Sequence, residues 1–386
     1  MDKCTLYSDR NLINRRNVKA DVSSAANACR RFFQLAVESR IIAGALTVLG
    51  MSKIDDENPS QNQYPPNLMS ATRREKKEYL TRVATAVVDS FVVDQQRNKS
   101  IEQSLRDLDA HSSEKPGPDG RFVCRFPGCK KTFAHNGKLK MDHEASHDPP
   151  VVVKDQGSYH KQTKGNDGDD MLAYQKALLD YGMLILNFWD AISEGDGERV
   201  IRCWKFALMY VKHQGGSASK YSLEALYLVF QIHALLSPQA AHRLTWNRFI
   251  KNKSGVGGHI PLDLQLEFFN KTVKETIKKL GPNASQKSLD RICHSLGAVL
   301  EMMRSFDTNL SVFKRSGRHV QKSTTNDLRK LVQELLNHRA FTYTPGRCYR
   351  FYSDISPSIL NGFDVKKMYD WINDHKKYLI LNRRAR

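Results

Sequence analysis

The sequence lacks any apolar run long enough to cross a bilayer. Its longest apolar stretch, Ile41 to Leu49, falls well short of the roughly 20 residues that a membrane helix needs. The N-terminal string MDKCTLYSDRNLINRR has no apolar core of the kind found in secretory signal peptides. We therefore expect no membrane partner, and a location in the nucleus or elsewhere inside the cell.

The sequence also offers little material for a disulfide framework. It holds 7 cysteines, an odd number, and only Cys124 and Cys129 lie close together. Small secreted domains usually carry an even, closely spaced set, so we expect a reducing compartment. Aromatic residues make up only 9%, but hydrophobic residues reach 40%, which is enough for a sizeable core.

Acidic residues are outnumbered by basic ones. The chain has 60 Lys and Arg against 41 Asp and Glu, a formal net charge of +19. Such an excess produces a positive surface field that favours phosphate-rich partners. Ribosome-associated and membrane-surface proteins share this balance, so it indicates nucleic acid only when a nucleic-acid module lies beside it.

Apolar residues recur at helical spacing over most of the chain. This periodicity predicts helices over residues 21–50, 72–94, 171–192, 199–213, 221–236, 239–249, 262–280, 286–306, 325–336 and 365–379. Strand candidates are confined to Val151–Val153 and Phe341–Tyr343. The predicted fold class is therefore mainly α.

Two polar segments divide the chain. Residues 99–120 end in EKPGPDG, and residues 149–169 begin with PPVVVKDQG; both compositions are typical of linkers. We predict a helical N-terminal segment over 1–98, a small module over 121–148 and a helical domain over 170–386. At 386 residues the chain is long enough for such a division.

The small module carries four metal-ligating side chains in the pattern C-x4-C-x13-H-x3-H. The predicted ligands are Cys124, Cys129, His143 and His147. Thiolates from a hairpin and imidazoles from a helix can converge into a tetrahedron around Zn²⁺, so we predict a ββα zinc finger with Zn²⁺ as its cofactor. Phe122, Phe133 and Leu139 are expected to form a core too small to fold without metal.

One feature of the finger departs from the usual pattern. The gap between the second Cys and the first His is 13 residues instead of about 12. The extra residue falls in the string AHNG and shifts Leu139, so a base-reading code does not carry over. A lone finger also buries only roughly 600–1,000 Å² on DNA, which leaves a protein-docking or purely structural finger as an alternative.

Six basic side chains of the finger favour contact with phosphate, although solvated charge is an equally good interpretation. They are Arg121, Arg125, Lys130, Lys131, Lys138 and Lys140. The expected partner is nucleic acid, DNA more than RNA, and protein partners stay open.

The segment from Met171 onward resembles a domain family of unknown function, found in several eukaryotic lineages, whose members look like products of transposable elements. The matching strings are AISEGDGERVIRCWKF, KYSLEAL, LTWNRFI, IPLDLQLEFFNK and LGPNASQKSLDR, together with LINRRNV and LTVLGM near the N-terminus. The resemblance covers most of the chain, with the finger as an insertion in it.

The resemblance also implies a possible chemistry. Fuller members look as though they carry a Gly-Asp-Gln and a Gly-Asp-Trp-His motif upstream, which suggests the acid constellation of an RNase-H-like transposase using two metal ions. Neither string occurs here, and this sequence is expected to begin downstream of them. Glu224 and Glu267 match family positions that would supply a later acid, and Asp263 lies one helical turn before Glu267.

The prediction from the sequence is a zinc-binding, nucleic-acid-associated protein derived from a transposable element and not an enzyme as it stands. The first alternative is a fragment of an RNase-H-like transposase or nuclease. The second is a protein-interaction scaffold, in which the finger and the helices dock partners.

Overall fold

The computed structural model describes residues 2–56, 59–64, 68–93, 95–112, 114–148, 168–215, 219–252, 255–281, 285–292, 294–295, 297–298, 301, 324–353, 355–358 and 360–381. Helices dominate this part of the chain, and a small hairpin followed by a helix carries the Cys and His cluster. The predicted fold class is thereby confirmed. The chain divides into two compact units, the first built from residues 1–187, 203–235 and 325–386 and the second from 188–202 and 236–324.

The first unit contains most of the helices. Those before the finger are α1 (Leu6–Leu12), α2 (Ala26–Val48), α3 (Arg73–Phe91) and α4 (Gln95–Ser112). Those after it are α6 (Asp170–Glu194), α7 (Gly197–Gln214), α8 (Ser219–Phe230), α11 (Thr325–Asn337) and α12 (Val365–Leu381), of which α6 and α7 each continue into the second unit. Between them lies the finger, with β1 (Phe122–Val123), β2 (Thr132–Phe133) and α5 (Lys138–Glu144).

Local sequence explains where two of these helices start. Thr5 begins α1 and Thr72 begins α3, each with a capping box in which the threonine side chain accepts from a backbone N–H three residues later. In α3 the buried side chains Tyr79, Val83 and Val87 recur every four residues, so they form one face of the helix. That face packs against α2.

The largest core cluster joins α2, α6 and α11. Its buried members include Ala43, Leu179, Val332 and Leu335. Helix α6 approaches α2 closely at Gly182, where a side-chain Cβ would lie only 2.5 Å from Val37 Cγ2. A glycine at this position therefore lets the two helices meet.

The interior of the first unit also contains a buried charged side chain. Arg40 of α2 is fully buried and pairs with Asp9 of α1 at 2.8 Å. Its guanidinium also donates to Gln175 Oε1 at 2.8 Å and to the carbonyl oxygen of Cys4 at 2.9 Å. Burial raises the pKa of the Asp9 carboxyl, and the charge of Arg40 acts against that rise. The Arg40 guanidinium thus ties both α1 and the residues before it to the interior of the unit.

Helix α4 lies in the first part of the segment 99–120, for which a linker is predicted. Its composition is polar, but Ile101 and Leu108, seven residues apart on one helical face, pack into a cluster with Trp371 of α12. The Tyr369 hydroxyl donates to Asp109 Oδ1 at 2.8 Å. Tertiary packing, which composition does not reveal, therefore accounts for the helix.

The second unit contains α9 (Pro238–Trp246), β3 (Phe249–Lys251), β4 (His259–Pro261) and α10 (Leu262–Leu280). The strands pair antiparallel, with Ile250 opposite Ile260. The helix predicted over 262–280 has the bounds of α10. The helix predicted over 239–249 is longer than α9, because its last residue, Phe249, begins β3. Residues 255–259 are predicted to form a loop, but His259 begins β4. Strands of three residues are too short to show a periodic pattern.

Other expectations have mixed outcomes. The strand predicted at Phe341–Tyr343 is wrong, because these residues form a turn that follows α11. Of the helix predicted over 286–306, residues 286–292 are helical and most of the rest lie outside the described residues, as do Val151–Val153 and nearly all of the second linker. Within the described part of the chain, no helix combines the length and apolar character needed to cross a membrane.

Candidate metal centre

The two cysteines of the finger lie on a short antiparallel hairpin. Phe122 pairs with Phe133 across β1 and β2, and beyond this pair the Cys124 N–H donates to the carbonyl oxygen of Lys131 at 2.9 Å. The Cys129 N–H donates to the carbonyl oxygen of Phe126 at 3.0 Å, which closes a turn. This turn brings both thiols to the same side of the hairpin.

The two histidines come from α5 and the residues that follow it. His143 lies in the last turn of the helix, and His147 lies just beyond its C-terminus. Aromatic rings fix both imidazoles: Phe126 stacks on His147 at a centroid distance of 4.1 Å, and Phe133 lies 5.4 Å from His143. Phe126 is a positioning residue that the sequence reasoning did not single out.

The four predicted ligand atoms converge on one point. Cys124 Sγ lies 3.4 Å from His147 Nε2, Cys129 Sγ lies 3.3 Å from His143 Nε2, and the two Nε2 atoms are 3.2 Å apart. All four atoms lie within 4.8 Å of one another. With Zn–S of about 2.3 Å and Zn–N of about 2.0–2.1 Å, a tetrahedral site has ligand atoms about 3.3–3.8 Å apart, so the residues fit such an ion.

Burial shifts the pKa of two side chains of the cluster, Cys124 and His143. It raises the pKa of the Cys124 thiol. It also lowers the pKa of His143, with a further contribution from the nearby charge of Lys131. A neutral imidazole is the form that binds metal, whereas a thiol must lose its proton on binding. Four protein ligands leave no open position, which is the arrangement of a structural site and not of a catalytic one.

The finger core differs from the one that the sequence predicts. Phe122 and Phe133 are partly buried as expected, but Leu139 is 80% exposed. Leu139 lies four residues before His143 and Lys140 lies three before it, so both are neighbours of His143 on the helix. In the structure Lys140, and not Leu139, is the buried one. The longer gap before the helix thus replaces an apolar contact with a charged one.

An ion network fills the space that Leu139 does not occupy. Arg125 Nη2 donates to Glu144 Oε2 at 2.9 Å, and the Arg125 N–H donates to Glu144 Oε1 at 2.9 Å. Lys140 Nζ lies 3.4 Å from Glu144 Oε1 and also pairs with Glu114, which follows α4. Burial acts to raise the pKa of Glu144, but the hydrogen bonds from Arg125 outweigh it and lower that pKa.

This network changes which basic residues are available to a partner. Lys140 is fully buried, and Arg125 is partly buried and paired with Glu144, so these two cations are less accessible than the sequence predicts; their contact with phosphate stays a prediction. Arg121, Lys130 and Lys131 are exposed. The side chain of Lys138 lies outside the described residues.

The residual acids form no comparable cluster within either unit. Glu224 is exposed on α8 of the first unit, and in the second unit Asp263 Oδ1 accepts the backbone N–H of Leu264. Glu267 lies on the charged face of α10 beside Lys271 and Lys274, lining a shallow groove. In the part of the chain that the structure describes, the finger cluster alone brings three or more His, Cys, Asp or Glu side chains within metal-binding distance.

Residues 2–319 match a family described as a family of unknown function, DUF6589. The chain belongs to this family. The matched range includes the finger and the second unit as far as residue 319, so the prediction of a family of unknown function over most of the chain is confirmed. No curated protein and no solved structure matches the sequence. The description of DUF6589 states no activity.

Proposed function

We propose that this DUF6589 protein binds zinc through its finger and associates with nucleic acid, DNA more than RNA. The observation that carries the proposal is the convergence of Cys124, Cys129, His143 and His147. Two thiolates and two imidazoles in a tetrahedral arrangement suit Zn²⁺ better than Mg²⁺ or Ca²⁺, which take oxygen ligands. The net charge of +19 supports a phosphate-rich partner.

We also propose that the protein derives from a transposable element. The resemblance of strings such as AISEGDGERVIRCWKF and LTWNRFI to transposon-derived proteins supports this origin. Association with nucleic acid agrees with a nuclear or other intracellular location.

A measurement of salt dependence tests nucleic-acid association. Full-length zinc-loaded protein is titrated with a fluorescent duplex DNA of mixed sequence between about 50 and 200 mM salt. For each phosphate that the protein neutralises, the rise in salt over this range should weaken binding about 3.5-fold, because the salt slope is about −0.9 per contact. Little difference between unrelated sequences is expected. An affinity that stays flat across the range, or no binding at low salt, contradicts the proposal.

We propose further that the chain does not cut or join nucleic acid. Two-metal phosphoryl transfer needs several carboxylates that hold ions about 3.5–4 Å apart. Two carboxylates near the end of α6, Asp190 and Asp196, each pair with Arg199, at 2.6 and 3.4 Å. Glu267 lines a groove with Glu275 and three lysines, so the positive charge there exceeds the negative. These arrangements support structural roles for the acids.

A cleavage assay decides this point. Purified protein is incubated with single-stranded and double-stranded DNA in Mg²⁺ and, separately, in Mn²⁺, and no strand cleavage above a no-protein control is expected. Cleavage that disappears in Glu267→Gln, but persists in the control Glu78→Gln at an exposed glutamate of α3, would establish the nuclease alternative.

The scaffold alternative has less support. Leu139 on α5 is 80% exposed, but a single exposed apolar side chain is normal on a protein surface and does not by itself indicate a protein partner. A scaffold would bind its partner with little response to salt, so the same salt titration separates the two functions.

A further inference from the structure

The edge of the finger hairpin carries three exposed cationic side chains, Arg121, Lys130 and Lys131, which we term the hairpin cations. Lys130 and Lys131 directly precede β2. Arg121 precedes β1, and its Nε donates to Thr132 Oγ1 at 2.9 Å, so its guanidinium lies against β2. At about 3.3 Å per residue along a strand, the three charges therefore lie beside a stretch of backbone only about 7 Å long.

Helix α5 presents different chemistry. Among its described side chains, Leu139 is a strongly exposed apolar residue and Asp142 adds an exposed carboxylate. Lys140 is buried between Glu114 and Glu144. Helices that read the major groove present hydrogen-bonding side chains such as Arg, Lys, Asn and Gln to base edges. The described side chains of α5 offer none of these on an exposed surface.

We infer that the finger contacts duplex nucleic acid through the hairpin cations, along the sugar–phosphate backbone, and not by inserting α5 into a groove. This inference rests on the proposed function. Phosphate contacts fix the position of a protein on the duplex but carry no sequence information. The finger therefore supplies affinity that depends on salt and not on base sequence.

The test compares two double variants of the full-length zinc-loaded protein. Lys130→Gln/Lys131→Gln removes two hairpin cations. The control, Lys76→Gln/Lys77→Gln, removes two lysines of α3 that are likewise adjacent in the sequence. Binding to duplex DNA of mixed sequence is measured at several salt concentrations. The hairpin variant should bind about a hundredfold more weakly at 50 mM salt, and its salt slope should be shallower by about 1.8, since each contact contributes about 0.9. The α3 variant should bind nearly as tightly as the wild type.

A third variant, Leu139→Ser, addresses α5 directly and should leave affinity and slope unchanged. The cobalt absorption spectrum of each variant shows that the metal centre is intact. If the wild type binds with a steep salt slope and the hairpin variant matches it, the inference is overturned while the proposed function stands. If Leu139→Ser weakens binding more than the hairpin variant does, the inference is likewise overturned and the proposed function stands. If the wild type does not bind at all, both are overturned.

Discussion

Cys129→Ala should abolish the metal-dependent structure of the finger. The wild-type protein is expected to take up one Co²⁺ and to show both tetrahedral d–d bands and thiolate-to-metal charge transfer. Structural zinc contributes an apparent 10–16 kcal/mol to the folding of isolated fingers, and their small cores cannot replace it. Loss of one ligand of four should therefore weaken metal binding by several orders of magnitude. Absorption spectroscopy with competition by a chelator measures this directly.

A cysteine outside the cluster provides the matched control. Cys348 is exposed and lies far from the finger in the sequence, so Cys348→Ala should leave the cobalt spectrum and the stoichiometry unchanged. In the wild type, bound zinc should protect Cys124 and Cys129 from alkylation while Cys348 reacts. Burial raises the pKa of Cys4 to about 12, so this thiol should stay unmodified in the folded protein at neutral pH. A Cys129→Ala protein that kept its stoichiometry and charge-transfer bands would disprove the assigned ligand set.

The consequence of losing the finger for the rest of the protein depends on how the finger is attached. Its one described ionic contact with the segment after α4 is the pair between Lys140 and Glu114. Helix α4 is also held by its own packing on α12, including the hydrogen bond between Tyr369 and Asp109. We therefore expect the unfolding transition of the helices to change little in Cys129→Ala, although the finger is not simply suspended between two linkers.

Features that arise from local spacing could be predicted from the sequence. C-x4-C-x13-H-x3-H specified which four side chains converge, since each pair of ligands comes from one short element. Helices with a regular apolar stripe, such as α3 and α10, were predicted within a few residues. Polar α4 escaped prediction because its helical state depends on Ile101 and Leu108 meeting a distant helix.

Charged side chains in the interior were the main features that could not be predicted. Lys140 and Glu144 have the i, i+4 spacing of a surface ion pair, so nothing local indicates that both are buried. The choice between Leu139 and Lys140 as the inward residue depends on how one extra residue before α5 is accommodated. The pairing of Arg40 with Asp9 joins residues on different helices and is likewise a tertiary property.

Arg40→Met should destabilise the first unit by about 3–5 kcal/mol, the usual cost of removing one partner of a buried ion pair. Methionine fills much of the space but leaves the 2%-exposed carboxylate of Asp9 without its cation. It also leaves Gln175 Oε1 and the carbonyl oxygen of Cys4 without the donors that Arg40 supplies. Urea unfolding followed by circular dichroism measures the loss, and Arg31→Met, an exposed arginine on the same helix, should cost less than about 0.5 kcal/mol.

The double variant Arg40→Met/Asp9→Leu identifies the cause of the loss. If the unpaired carboxylate is responsible, the second change should restore much of the stability, because replacing a whole buried pair with apolar groups is often neutral. The pH dependence gives an independent check. Burial already raises the pKa of Asp9 above its unfolded value, and without Arg40 the rise should be larger. The folded state of Arg40→Met then binds the proton more tightly than the unfolded state, so its deficit relative to wild type should shrink as the pH falls from 7 to 5. A deficit that is independent of pH and persists in the double variant would show that Arg40 acts through packing and its hydrogen bonds to Gln175 and Cys4, and not through the charge of Asp9.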